Sequence, residues 1–102
     1  DAGSKTLSSD RARGPNAHRG FGAVLQTDSE KDINPNLIIE RLSEEHATVS
    51  VTGCSDSLTV GQRVRLIPNH ACVVTNLTDY VHFIDGDSLI ETIRVDARGK
   101  NY

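Results

Sequence analysis

The chain has 102 residues and a mass of 11.1 kDa, is 36% hydrophobic and 25% charged, and carries a formal net charge of −3 with a pI near 5.7. Folding at this size buries roughly 65% of the unfolded surface, enough for one core and too little for a second, so a two-domain enzyme within these residues is excluded. The acidic balance, with no Lys/Arg cluster, argues against nucleic acid as a partner, and no apolar run approaches the ~20 residues of a membrane span. The aromatic fraction is 4%, without Trp or Met, so Val, Ile and Leu must build the core, and the β-branched among them favour strands.

Residues 1–19 contain Leu7 as their one branched aliphatic and are otherwise rich in Ser, Gly and charge. Such a stretch cannot build a core alone; it reads as an arm that is either mobile or docked on something absent from this chain. It opens on Asp1, with neither an initiator Met nor a signal-peptide h-region, which points to a processed product or a piece of a longer polypeptide. Gly14-Pro15-Asn16 marks a turn at its end.

From Gly20 onward, short strands alternate with turns. Phe21–Gln26 is an apolar run, and Leu37–Leu42 follows Asn34-Pro35-Asn36, a turn signal. Thr48–Thr52 places Val49 and Val51 on one face, the alternation of a half-buried strand, and Gly53 ends it. Ser57–Gly61 reads as a connector into an Arg63–Ile67 strand closed by Pro68, which has no ladder donor. Ala71–Leu77 reads as further extended chain. Tyr80–Ile84, Asp85-Gly86-Asp87 and Ser88–Val95 form a hairpin with a glycine suited to positive φ in its turn, and Asp96–Tyr102 is a polar tail. Turns every ~8–12 residues predict an all-β domain over residues 1–102, a small barrel or sandwich.

Cys54 and Cys72 are the two cysteines, fewer than a disulfide scaffold of this size carries, so both read as reduced thiols in a cytoplasmic protein. The chemically distinctive run is Pro68-Asn69-His70-Ala71-Cys72. In an extended segment, residues two apart project to one side, so the His70 imidazole and the Cys72 thiol could chelate one ion, of a kind nearer Zn²⁺ than Mg²⁺ or Ca²⁺. Spacing alone favours the plainer reading, a packed cysteine and a backbone-bonded loop histidine. Ser43-Glu44-Glu45-His46 offers a carboxylate beside an imidazole, suited to acid–base work at His46 or to nothing more than a solvated turn. Asp85 and Asp87 read as turn residues, since the full calcium-loop pattern is missing. His18 and His82 have no partner at an informative spacing, and the self-contained hydrolase and kinase motifs are absent.

Four stretches together resemble one family. The opening Asp1-Ala2-Gly3-Ser4-Lys5-Thr6-Leu7-Ser8, the Leu42–His46 block, the Gly61-Gln62-Arg63-Val64 step and the Ile67–Cys72 run followed by Asn76-Leu77 are similar to the C-terminal domain of metal-activated D-serine dehydratases and low-specificity D-threonine aldolases. That family is similar to alanine racemase: an N-terminal (β/α) barrel holds pyridoxal phosphate on a lysine, and a C-terminal β-domain covers the active site. The resemblance implies that His70 and Cys72 are the ligands of Zn²⁺ or another divalent metal, that the barrel domain is a partner, that the enzyme is a homodimer, and that a D-β-hydroxy amino acid is the substrate.

The cofactor would stabilise the carbanion left by the α-proton while the metal assists departure of the β-hydroxyl. Aldolases of the family carry Asp where Cys72 stands, so the thiol implies a dehydratase, with a hydroxyaspartate dehydratase as an alternative. A stand-alone binding or assembly module of the same fold is the reading from a different class. The cofactor lysine belongs to the barrel: Lys5 lies in the opening motif, and Lys31 and Lys100 lie in polar segments, so this chain alone is expected to be inactive. The family's usual Gly after Ser-Glu-Glu-His is Ala47 here, a departure that bears on the backbone of that turn.

Overall fold

The structure is a computed structural model and describes residues 2–15, 17, 20–29, 31–53 and 58–100. Cys54 and His18 lie outside the described residues, as does Asn16 of the Gly14-Pro15-Asn16 turn. Two short helices, α1 (Ser4–Leu7) and α2 (Ala71–Leu77), accompany six strands: β1 (Ala23–Leu25), β2 (Ile33–Leu42), β3 (Ala47–Val51), β4 (Leu66–Ile67), β5 (Tyr80–Asp85) and β6 (Ser88–Arg94). The strands form a four-stranded antiparallel sheet of order β3-β2-β1-β4 and a separate β5-β6 hairpin, in keeping with the all-β expectation.

The core sits where β1 and β2 meet α1. Leu7, Val24, Leu37 and Ile39 are buried together, and Phe21, Leu42, Ala47, Val49 and Leu66 pack around them. β1 is buried at all three positions, as a central strand covered on both faces must be. Along β2, Leu37 and Ile39 point inward, but the register shifts between Ile39 and Arg41. That bulge at Glu40 changes the phase of the pleat, so Leu42 also reaches the core. Ala47 opens β3 opposite Leu42 and is not among the residues with positive φ, so the backbone at this position does not require a glycine.

Two expectations are corrected. Asn34-Pro35-Asn36 lies inside β2 and not before it, because the β1–β2 register jumps from Ala23↔Ile38 to Leu25↔Ile33 and leaves Pro35 in a bulge where no ladder donor is required. The Asn34 side-chain oxygen accepts the Asn36 N–H at 3.0 Å and closes that bulge locally.

Ala71–Leu77 is a helix and not extended chain. Its Val73, Val74 and Thr75 favour strands by propensity, but over seven residues that preference is weak, and packing of α2 against α1 overrides it. The Thr75 hydroxyl donates back to the carbonyls of Ala71 and Cys72, at 3.3 and 3.0 Å, as Ser and Thr do inside helices. The Arg63–Ile67 strand shortens to β4, although the Leu25 N–H still reaches the Arg65 carbonyl at 3.0 Å.

The hairpin forms as expected. Asp85 pairs with Ser88 across a two-residue loop with positive φ at Gly86 alone, the pattern of a type II′ turn. Phe83, Ile84, Leu89 and Ile90 on it are between 52% and 66% exposed. An isolated two-stranded hairpin is at best marginally stable in water. Ile39→Ala is therefore expected to cost about 2–5 kcal/mol in denaturant unfolding, whereas Ile90→Ala changes stability by less than about 0.5 kcal/mol. Equal losses at the two positions would contradict this division between core and hairpin.

Candidate functional site

The described part of the N-terminal arm packs on this domain's own sheet and helix α2. Leu7 is 2% exposed, and the Ser4 and Lys5 N–H groups donate to the carbonyls of Ser43 and Glu44 at 2.8 and 3.2 Å. Gly3 lies so close to the Glu44–Glu45 backbone that a Cβ there would overlap it. The Ser43–His46 turn is thus a receiving edge for α1. It is closed by Ser43 N–H to His46 O at 2.9 Å, and its Ser43 hydroxyl oxygen accepts the His46 N–H at 3.2 Å.

Within that turn the Glu45 carboxylate pairs with Lys5 Nζ at 2.5 Å, so the carboxylate beside His46 is committed to the arm. Hydrogen bonding to Lys5, reinforced by its charge, holds the Glu45 carboxyl below its ordinary value. His46 is exposed on the same turn.

Past α1 the chain bends at Ser8, whose φ of 65° is the one positive value at a non-glycine among the described residues. Arg11 then lies over the Phe21 ring, 4.5 Å from its centroid, a cation–π contact that holds the arm to the sheet. Between these points stands Asp10. Its Oδ2 is 2.5 Å from Nδ1 of His70, sixty positions further along the chain. The His70 hydrogen bond, then that of Ser8, lowers the Asp10 carboxyl from its ordinary value. Asn69 Nδ2 donates to the Asp10 carbonyl at 2.8 Å and to the Gly20 carbonyl at 3.1 Å, while Asn69 Oδ1 is buried without a hydrogen-bond partner among the described residues. An open cleft in front of this group is lined by Asp10, Arg11, Arg13, Asn69 and His70.

His70 is the N-cap of α2, with extended φ and ψ of −141° and 113°, and Cys72 is the second residue of the helix. Their adjacency comes from the turn into α2 and not from the pleat of a strand. Cys72 is a free, exposed thiol. Among the described residues no group of three or more His, Cys, Asp or Glu side chains converges as a metal cage. His82 is occupied elsewhere, with its Nδ1 2.9 Å from the Thr92 hydroxyl in the hairpin. The donor types at the head of α2 suit a divalent ion of the zinc kind: an imidazole whose Nδ1 is engaged, leaving Nε2, and an exposed free thiol two residues on.

The sequence model described as "Putative serine dehydratase domain" matches residues 1–84, which take in the arm, the receiving turn and the head of α2. The chain belongs to this family. It is 41% identical over its whole length to uncharacterised proteins of Mycobacterium bovis and Mycobacterium tuberculosis, of which it spans 69%. Among solved structures it is similar to an alanine racemase-like protein from Idiomarina loihiensis, with a TM-score of 0.69 and 25% identity over 93% of this chain. It also shares the fold of D-threo-3-hydroxyaspartate dehydratase from Delftia, with a TM-score of 0.61 and 23% identity, and that of a cysteine-to-alanine variant of such a dehydratase in its metal-free form, with a TM-score of 0.66. In each case this chain spans only about a quarter, 26%, of the solved chain.

Asp10 was not singled out from the sequence. It stands two residues past the opening motif, and only the tertiary fold brings it to His70. The Lys5–Glu45 pair makes a pH prediction. A carboxyl depressed in the folded state stabilises the fold above its unfolded value near 4.5, and that contribution is lost as the pH falls through the lower folded value. Both groups are more than half exposed, so the effect on stability is small and the direct readout is the titration itself. By NMR, the Glu45 carboxyl is expected to titrate below 4.5 and to move up in Lys5→Met. A wild-type midpoint at or above 4.5 would contradict the pairing.

Proposed function

We propose that this chain is the metal-binding C-terminal domain of a pyridoxal phosphate-dependent lyase that removes water and ammonia from a D-β-hydroxy amino acid such as D-serine, with His70 and Cys72 as the metal ligands. The observation that carries the reading is the family match over residues 1–84, which includes both proposed ligands. A divalent metal held there would act as a Lewis acid on the substrate β-hydroxyl, and pyridoxal phosphate on a separate barrel would supply the electron sink. The chain's own part is to present Nε2 of His70, which lines the cleft, together with the exposed Cys72 thiol two residues on, and to leave coordination positions open. Arg11 and Arg13 line that cleft and offer positive charge to an anionic substrate.

The domain's 26% share of the solved relatives supports a partner barrel supplied by the rest of such a polypeptide. The apolar side chains exposed on both strands of the β5–β6 hairpin offer a surface for that barrel or for a second subunit. His46, on the turn that holds the arm, is a secondary candidate for acid–base work. No helix among the described residues is long and apolar enough to cross a membrane, and we place the protein in the cytoplasm, where a thiol ligand stays reduced. Hydroxyaspartate as the substrate is a variant of the same reading, favoured by the fold shared with D-threo-3-hydroxyaspartate dehydratase.

A specific observation favours a second reading. If 102 residues make up 69% of the mycobacterial relatives, those proteins are roughly 150 residues long, whereas a (β/α) barrel alone needs about 250. In those relatives the domain stands without a barrel in the same chain, either as a stand-alone binding module or as one half of a split enzyme.

Zinc titration by calorimetry is expected to show one site whose affinity falls at least tenfold in Cys72→Ser; equal affinities would count against the ligand assignment. The chain alone is expected to release no pyruvate from D-serine, and to do so when a pyridoxal-type barrel from the same source is added. A barrel that turns over at an unchanged rate without this chain would favour the stand-alone module.

A further inference from the structure

We infer that Asp10 is the positioning residue of the proposed metal site: it fixes the tautomer and orientation of His70 so that Nε2 faces the ion. The inference rests on the reading of His70 and Cys72 as ligands and adds a residue from the far end of the chain to their site. Asp10 Oδ2 lies 2.5 Å from His70 Nδ1. A carboxylate can only accept there, so Nδ1 must carry the hydrogen, and the lone pair of the neutral ring is left on Nε2, where a metal needs it. A carboxylate behind a ligating histidine also raises the basicity of the ring, and loss of such a partner typically weakens metal binding 10- to 100-fold.

The surroundings of Asp10 argue that the contact is built and is not an incidental surface pair. Asp10 is held at both ends of its backbone: its N–H donates to the Ser8 hydroxyl oxygen at 2.9 Å, and its carbonyl accepts from Asn69 Nδ2 at 2.8 Å. Asn69 directly precedes His70 and also grips the Gly20 carbonyl at 3.1 Å, so one side chain ties the arm, the start of the sheet and the head of α2 together. Ser8 occupies the left-handed region, φ 65°, a conformation non-glycine residues adopt only where the surroundings impose it. Leu7, buried immediately before it, sets the point from which the bend is made. A surface aspartate with no positioning role would not need its chain strained and anchored in this way.

The test uses the whole chain of residues 1–102 in wild-type, Asp10→Ala, Asp10→Asn, His70→Ala and Cys72→Ser forms. Long-range ¹H–¹⁵N NMR of the metal-free protein is expected to show His70 as the Nδ1–H tautomer in wild type and a shift towards Nε2–H in Asp10→Ala. Cobalt(II) titration, read by thiolate-to-metal absorption, is expected to show 10- to 100-fold weaker binding in Asp10→Ala. Asp10→Asn, whose amide oxygen can accept the same hydrogen, should recover most of the loss. A role confined to folding would leave the tautomer unmoved in a folded variant.

An unchanged tautomer and affinity in Asp10→Ala would overturn the positioning role, while loss of binding in His70→Ala and Cys72→Ser would leave the ligand assignment standing. Wild-type cobalt binding indifferent to both ligand substitutions would overturn the metal reading and, with it, the role of Asp10.

Discussion

The burial of Leu7 against Val24, Leu37 and Ile39 decides where everything else in the candidate site can stand. A largely polar stretch has little reason to leave water, and one leucine supplies most of it, about 1.5–3 kcal/mol for a fully buried side chain. That is of the order needed to fix a one-turn helix, which could not persist alone. The backbone bonds from Ser4 and Lys5 to the Ser43–Glu44 carbonyls satisfy the donors that the short helix leaves open. Gly3 can lie against that turn only because it has no Cβ. With α1 fixed, α2 has a surface to pack on, and His70 at its head meets Asp10 a few residues beyond Leu7. The arm and the site are therefore one mechanical unit.

The remainder of the domain is less self-sufficient. The core gathers at one end, around β1 and β2, while the hairpin carries exposed large apolar residues on both strands. The Asp79–Arg98 ion pair at 3.0 Å and the Val95 N–H to Asp79 carbonyl bond at 2.9 Å close its base without burying it. Exposed pairs of this kind contribute little, so the hairpin's order depends on its turn and ladder and on whatever covers it. Under the proposed reading, that cover is the catalytic barrel or a second subunit.

Legibility followed the range of the interactions. The hairpin and its glycine turn could be read from neighbouring residues, because alternation and turn chemistry are local. β1, β2 and β3 could be placed for the same reason, apart from their ends and bulges. The Glu40 bulge and the one that absorbs Pro35 could not be read, since each is a property of pairing between strands. Helix α2 was misread because Val73, Val74 and Thr75 speak locally for a strand, while α1, some 65 residues earlier, is what makes a helix there favourable. His70 and Cys72 stand out by residue type and spacing, but the extended chain expected to aim them to one side is instead the N-cap and first turn of α2. Asp10 carried no local signal at all.

Under the proposed reading the site, with two protein ligands and an open cleft, is completed by another domain, and the lengths of the relatives bear on where that domain comes from. This chain spans 26% of each solved structure it resembles, and a partner domain supplied by the rest of such a chain would be covalently attached and at high local concentration. The mycobacterial relatives, at roughly 150 residues, are shorter than a (β/α) barrel alone, so under the same reading the barrel would be a separate polypeptide. Separation would place a demand on the interface that the fused enzyme never meets, because association must then overcome lost rotational and translational freedom. The Asp10–His70 contact and the Asn69 bonds that hold it lie outside the buried core, so the burial of Leu7 does not by itself require them. Under the proposed reading they serve a domain that works as half of an active site, whether fused or split.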